Sequence, residues 1–288
     1  MNPNFLFIPA LAMAGTFFWV SANLRKRVIR PAGTILLWVA SGILALPSLL
    51  MAFYYLHLFD NAAWFYEFRA MPFSELSASG AGFLAGMLHS EGSQNSLTRR
   101  LVPPLLLFFV LMIPFAKPIF SSVDFGQFKN QWLGDVCLQS TPSSCGPASA
   151  ASVLKSFGLE ASERELAKEC FTYTGGTENW FLARALRRRG FEVQFEVKAD
   201  TQGQIPIHAI AGVTLPSGAG HFVAVLSETA TDYVLGDPLK GTVLLPKHVV
   251  SKHYRFTGFF MIILPKDTSG ARVTWRVPTA KFAVCVFS

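Results

Sequence analysis

Cys145 ends the run Cys137-Leu-Gln-Ser-Thr-Pro-Ser-Ser-Cys-Gly-Pro147, where a polar turn leads into Gly146, Pro147 and an alanine-rich stretch. Proline is favoured in the first turn of a helix, where its missing N–H costs nothing. The pattern therefore predicts that Cys145 stands at a helix N-terminus. Unpaired backbone N–H groups and the positive end of the helix dipole favour a thiolate there, which is the requirement for a nucleophile. A buried structural cysteine is the plainer alternative. The residues downstream weigh against it.

His221 opens the strand-like run His-Phe-Val-Ala-Val-Leu-Ser, the turn Glu228-Thr-Ala-Thr-Asp232 follows, and a second apolar run, Tyr233-Val-Leu-Gly236, ends at Asp237-Pro238. This reads as a β-hairpin centred near Thr229. His221 and Asp237 are equidistant from that centre, so they are expected opposite one another, with Cβ atoms about 5 Å apart. A carboxylate so placed holds the imidazole in one tautomer, and the imidazole takes the thiol proton. The alternative is a strand histidine and a turn aspartate with no shared role; Cys145 upstream favours the catalytic pairing. Gln139 lies six residues before Cys145. From there its side-chain amide can face a developing oxyanion, with the Cys145 backbone N–H as the second donor.

Gln139-x5-Cys145-Gly146, His221 and Asp237-Pro238 together resemble the bacteriocin-processing, double-glycine-leader peptidases, cysteine peptidase family 39. The resemblance covers about Gly134 to Pro265. It implies a papain-like fold, a triad of Cys145, His221 and Asp237, and an oxyanion hole completed by Gln139. It also implies a peptide or protein substrate and a separate transporter as partner. That family usually carries Asp directly before the Cys; Ser144 stands there in this chain. No Gly-x4-Gly-Lys-Ser/Thr phosphate loop occurs, so neither ATP nor coupling to export within this polypeptide is expected.

The elements that must position these residues are legible around them. Ala148 to Phe157 reads as the nucleophile helix, with Gly158 as its stop. Ser162-Glu-Arg-Glu165 is a capping box for a second helix. Thr177 can cap a third, whose apolar stripe is Phe181, Leu182, Ala185 and Leu186. Arg187 to Arg189 fall in its last turn and read as a solvated, dipole-complementing end. Phe191 to Val197 alternates with period two, and Ile205 to Leu215, Thr242 to Leu245 and Phe259 to Leu264 supply further strands. Helices first and antiparallel strands after make an α+β domain.

The first 120 residues have a different character. Of the whole chain, 51% of residues are hydrophobic and only 15% charged, a balance lean in charge for a soluble protein. Phe5 to Ala22 and Ala32 to Leu56 carry no charge and are long enough to span a bilayer. Leu101 to Phe120 is a third expected span, interrupted only by Lys117, which can snorkel. Arg25, Lys26, Arg27 and Arg30 follow the first apolar run, so it does not read as a cleaved signal peptide, and the positive-inside rule keeps them cytoplasmic. Phe73 to Leu88 holds Gly82-x3-Gly86, a close-packing pattern, together with Glu75. Three spans leave the C-terminal domain cytoplasmic; a fourth at 73–88 puts it outside.

The expected organisation is a transmembrane helical region at 1–120, a linker at 121–133, a papain-like peptidase domain at 134–268 and a tail at 269–288. The expected partners are a peptide or protein substrate and the lipid bilayer. No Cys-x2-Cys or His-x3-His spacing points to a metal, and no cofactor is expected. The net charge of +7 partly reflects the flanks of membrane segments and does not read as nucleic-acid binding. Cys137 and Cys170 fit either a disulfide or two free thiols. Two rivals share the motif: acyl transfer from the same thioester to an amine, and a silent module that binds leader peptides.

Overall fold

The computed structural model describes residues 4–54, 58–91, 97–198 and 204–266. The tail expected at 269–288, including Cys285, lies outside the described residues.

The N-terminal half is a helical bundle. Helices α1 (Phe7–Arg27) and α2 (Pro31–Tyr54) run antiparallel, followed by α3 (Ala63–Ala70), a 3-10 helix (Ser74–Gly80), α4 (Ala81–Glu91), α5 (Leu97–Met112) and α6 (Ala116–Phe120). Among the described residues two segments, Phe7–Arg27 and Pro31–Phe53, are long and apolar enough to cross a membrane. The third expected span is broken: α5 stops at Met112 and a turn precedes α6. Pro114 falls in that turn, and a proline cannot supply the N–H that a continuing helix needs. At about 1.5 Å per residue α5 is about 24 Å long, short of a hydrocarbon core of about 30 Å. The segment at 73–88 is likewise not one helix but a 3-10 turn running into α4.

Alpha-4 runs alongside α1. A Cβ on Gly82 or Gly86 would collide with the carbonyls of Ala14 and Phe18, so the small residues do permit close backbone approach. At one end of the bundle Glu91 accepts from Arg25 (3.0 Å) and from the Trp38 indole (2.9 Å). At the other end Phe7 meets Phe115, ring centroids 5.4 Å apart. The C-terminal ends of α1 and α4 and the start of α2 therefore share one end of the bundle, and α6 lies at the opposite end.

The C-terminal half begins with the short strands β1 (Trp132–Leu133) and β2 (Val136–Cys137). Helices α7 (Cys145–Ser156), α8 (Glu163–Glu169) and α9 (Asn179–Arg188) follow. Next come β3 (Phe191–Val197), β4 (Ala209–Thr214), β5 (Gly220–Glu228), β6 (Asp232–Asp237), β7 (Gly241–Pro246), α10 (Val250–His253) and β8 (Arg255–Pro265). Six strands form one antiparallel sheet in the order β3-β8-β4-β5-β6-β7. This is the mixed helix-and-sheet fold that the motif spacing implied. Gly158, at φ +76°, stops α7, and Ser162 and Glu165 form the capping box of α8. Alternate residues of β3 (Phe191, Val193, Phe195) are buried.

Helix α9 departs from expectation. Its N-cap is Glu178, not Thr177; the Thr177 hydroxyl instead meets that of Thr172 at 2.7 Å. Every residue from Trp180 to Leu186 is buried, because α3 and the 3-10 helix cover the face that a lone domain would leave in water. Phe65, Tyr66 and Ala70 of α3 belong to the same core as Leu154, Leu182 and Met261. Arg187 is half-buried and paired within the protein: it donates to Glu67 (2.6 Å) and to the Val193 carbonyl (2.7 Å). Arg188 and Arg189 pair with Glu169 at 2.7 and 2.6 Å. Lys117 bonds Glu178 at 2.7 Å instead of reaching away from the protein.

Candidate active site

Cys145 is the first residue of α7, behind Ser144 as N-cap. At that position its backbone N–H has no intrahelical carbonyl to bond. The preceding turn is closed by Ser144, whose Oγ accepts from the Thr141 N–H (3.0 Å) and donates to the Thr141 carbonyl (3.0 Å). The serine that stands where the resembled family usually has aspartate is thus spent on this turn. Close packing of α7 on β5 brings the sulfur to the sheet. A Cβ on Gly146 would lie 2.8 Å from Leu182 Cδ1 and 3.5 Å from Phe222, and Ser149 Oγ donates to the Phe222 carbonyl at 3.1 Å. His221 is the neighbour of Phe222.

His221 and Asp237 meet, but not as directly opposed residues. The β5–β6 ladder pairs Ala224 with Gly236 and Val225 with Leu235, and its register shifts between Val225 and Ser227. One more step of that register sets Asp237 across from Val223, two residues from His221. Residues two apart share a strand face, so the contact is diagonal. A turn centred nearer residue 230 accounts for the difference from the symmetric hairpin expected; its register alone would set Asp237 across from Ala224, and the bulge moves it one residue closer, onto the face of His221. His221 Nε2 lies 3.0 Å from Asp237 Oδ1, both side chains are buried, and the Cys145 sulfur is near enough to the same imidazole to raise its pKa. With Nε2 taken by the carboxylate, Nδ1 is the nitrogen left for the sulfur.

Electrostatics follow from the burial. Burial alone lowers the pKa of His221, but the Asp237 carboxylate and the Cys145 sulfur outweigh it and raise it from 6.5 to about 9. Burial raises that of Asp237, yet bonds from His221, the Leu239 N–H and the Tyr254 hydroxyl hold it at about 2. Around neutral pH the pair is imidazolium and carboxylate. The other two described cysteines are buried free thiols, so no disulfide joins them. Burial, with the nearby Glu163 carboxylate, pushes Cys137 up to about 12, and burial pushes Cys170 up as well.

Gln139 sits on a loop clamped at three points. The Cys137 N–H donates to Ser152 Oγ (2.9 Å), the Gln139 N–H to the Pro238 carbonyl (3.0 Å) and the Ser140 N–H to Glu163 Oε1 (2.7 Å). The second clamp joins the loop to the residue after Asp237. The Gln139 side chain donates from Nε2 to the Thr141 carbonyl at 3.0 Å. A primary amide has two N–H donors, and this bond uses one of them. Glu163 and Tyr254 are the site residues that motif reasoning missed. Glu163 was legible only as the first acid after a helix cap, and Tyr254 carried no local signal.

Residues 135–268 match the Peptidase C39 family. Over 137 residues the chain is 32% identical to an uncharacterized protein of Methanothermobacter marburgensis, covering 91% of that protein and 46% of this chain. The chain belongs to the peptidase C39 family. A second relative, an uncharacterized protein of Methanothermobacter thermautotrophicus, is 28% identical over 138 residues, 90% of its length and 46% of this chain. Two solved structures are similar to the C39 domain. The peptidase domain of Streptococcus ComA, a bi-functional ABC transporter involved in a quorum sensing pathway, is 24% identical; the match covers 96% of that domain and 45% of this chain, with a TM-score of 0.39. A double glycine motif protease from an AMS/PCAT transporter, solved with its leader peptide, is 22% identical; that match covers 91% of it and 46% of this chain, with a TM-score of 0.38.

Proposed function

We propose that this C39 protein is a membrane-anchored cysteine endopeptidase that cleaves a peptide or protein substrate at the bilayer surface. Residues 134–268 form the peptidase domain, 1–120 the anchor and 121–133 the link between them. Cys145 is the nucleophile, His221 the acid and base, Asp237 the residue that orients His221, and Gln139 the oxyanion donor. The observation that supports the reading is the buried His221–Asp237 pair at 3.0 Å, with the Cys145 sulfur beside the same imidazole. The sulfur attacks the scissile carbonyl, and charge collects on its oxygen, where the Cys145 N–H and the Gln139 amide are the available donors. His221 gives its proton to the leaving amine, then takes one from the water that opens the thioester.

The anchor reading rests on the two long apolar helices and on the apolar side chains exposed along them and α5, among them Ile8, Trp19, Leu36, Ile43, Leu105 and Phe109. Exposed apolar surface of that extent marks a membrane or partner contact. The shared end of the two helix hairpins carries Arg25, Lys26, Arg27, Arg30 and Arg100. By the positive-inside rule that end is cytoplasmic and the peptidase domain is extracytoplasmic.

The test compares new peptide N-termini in membranes carrying wild type or Cys145→Ala. Fragments that need Cys145 support peptidase activity. A wild type that binds peptides but generates no Cys145-dependent termini would instead make the domain a binding module.

A further inference from the structure

Asp237 has two carboxylate oxygens, and only one faces His221. Oδ1 accepts from the Leu239 N–H at 2.9 Å and meets His221 Nε2 at 3.0 Å. Oδ2 accepts from the Tyr254 hydroxyl at 2.7 Å. Tyr254 stands between α10 and β8, on a part of the chain remote from the nucleophile and the hairpin. Its ring is buried among Val213, Val225, Leu235 and Phe260, and Asp237 is fully buried. No water reaches the carboxylate to replace a lost donor.

We propose that Tyr254 is a positioning residue for the reaction, its hydroxyl fixing the Asp237 carboxylate so that Oδ1 stays on His221. The inference rests on the Cys145–His221–Asp237 reading above. A carboxylate held on one side only can rotate about its Cβ–Cγ bond, and the imidazole then loses both its orientation and its counter-charge. Two donors on separate elements, the Leu239 N–H and the Tyr254 hydroxyl, block that rotation. Burial, reinforced by Asp237, raises the tyrosine pKa, so the hydroxyl keeps its proton and remains a donor. Two other charged or titratable groups are near. Lys240 Nζ is 3.8 Å from Oδ2 and 5.3 Å from the centroid of the Tyr254 ring, but its side chain is 55% exposed and screened by water. The His253 ring packs on Tyr254 at 4.9 Å without touching the carboxylate.

The experiment uses the full chain in detergent micelles and needs no substrate. Iodoacetamide alkylation of Cys145 is followed by peptide mapping at pH 6 and at pH 9.5, where an ordinary thiol ionises unaided. Both rates come from one preparation whose folded fraction is measured by circular dichroism at each pH, because unfolded chains alkylate as ordinary thiols and would lower the ratio; Tyr254→Phe keeps the ring that the core needs. Tyr254→Phe is expected to lower the pH 6 to pH 9.5 ratio by roughly tenfold, the scale of one hydrogen bond to a charged group. Asp237→Asn is expected to lower it at least as far, and adding Tyr254→Phe to Asp237→Asn to change it no further. A wild-type ratio in Tyr254→Phe beside a lowered ratio in Asp237→Asn overturns the role of Tyr254 and leaves the triad standing. A Tyr254→Phe loss that persists in full in Asp237→Asn also overturns it, because the hydroxyl then acts elsewhere. A wild-type ratio in Asp237→Asn removes the triad reading, and this inference with it.

Discussion

Cys145 and the two other described cysteines differ in one respect that matters for reactivity. Cys145 stands at a helix start beside His221, whose pKa is raised, whereas Cys137 and Cys170 are buried thiols whose ionisation is suppressed. Brief alkylation at pH 7 is therefore expected to modify Cys145 and spare the other two; mass-spectrometric mapping that finds Cys137 or Cys170 modified equally fast would contradict the assignment. Gln139→Ala is expected to reduce kcat by about 10²–10³ with little change in KM, as loss of one oxyanion donor does. Steady-state kinetics on a cleaved peptide decide it. The pH dependence of stability follows from the two shifts. His221, raised in the folded state, contributes stability fully present below pH 6.5 and lost as pH rises through about 9. Asp237, depressed, contributes stability present above pH 3.8 and lost as pH falls through about 2. Their joint contribution is thus greatest between about pH 4 and 6.5, and a Tm profile of wild type minus His221→Ala should show that plateau.

Helix α8 serves the site at a distance. Glu163, its first residue and fully buried, accepts from both the N–H and the hydroxyl of Ser140, at 2.7 and 2.5 Å. That pair of bonds fixes the loop next to Gln139. Glu163→Ala leaves two donors without a partner, at a cost of about 1–3 kcal/mol, and frees the oxyanion loop. Activity per folded molecule is expected to fall, which active-site titration alongside thermal unfolding will show. Wild-type activity in folded Glu163→Ala would mean that the Cys137 and Gln139 clamps suffice.

Across the whole molecule the two halves are joined by a buried ion pair. Arg184 of α9 donates to both oxygens of Glu75 at 2.8 and 3.0 Å, to the Arg69 carbonyl at 2.6 Å and to Ser74 Oγ at 2.9 Å. Removing one partner strands a buried charge, which costs about 3–5 kcal/mol. Arg184→Ala and Glu75→Ala are each expected to loosen the docking of the peptidase domain, and the double mutant to lose much less than the sum. Protease sensitivity of the 113–133 segment measures it; additive losses would show that the pair is not coupled. The proposed orientation predicts that, in a background lacking native cysteines, a membrane-impermeant maleimide on intact cells labels Gln127→Cys and not Ile29→Cys. The reverse pattern would put the peptidase domain inside.

The sequence by itself determined whatever depends on neighbours a few residues apart. The start of α7 at Cys145, the stop at Gly158, the capping box at Ser162, the alternation of β3 and the apolar character of α1 and α2 are all local patterns. Tertiary structure decided what depends on partners far along the chain. Glu75 and Arg184 are 109 residues apart, and nothing near either announces the other; without that contact α9 reads as an amphipathic helix with a wet basic end. A turn centred near residue 230 made the His221–Asp237 contact diagonal, and the bulge between Val225 and Ser227 brought the two side chains onto one face, because register is set by the packing of a whole strand and not by its alternation. Glu163 reads only as an acid after a helix cap and Tyr254 carries no local signal until the fold brings one against Ser140 and the other against Asp237.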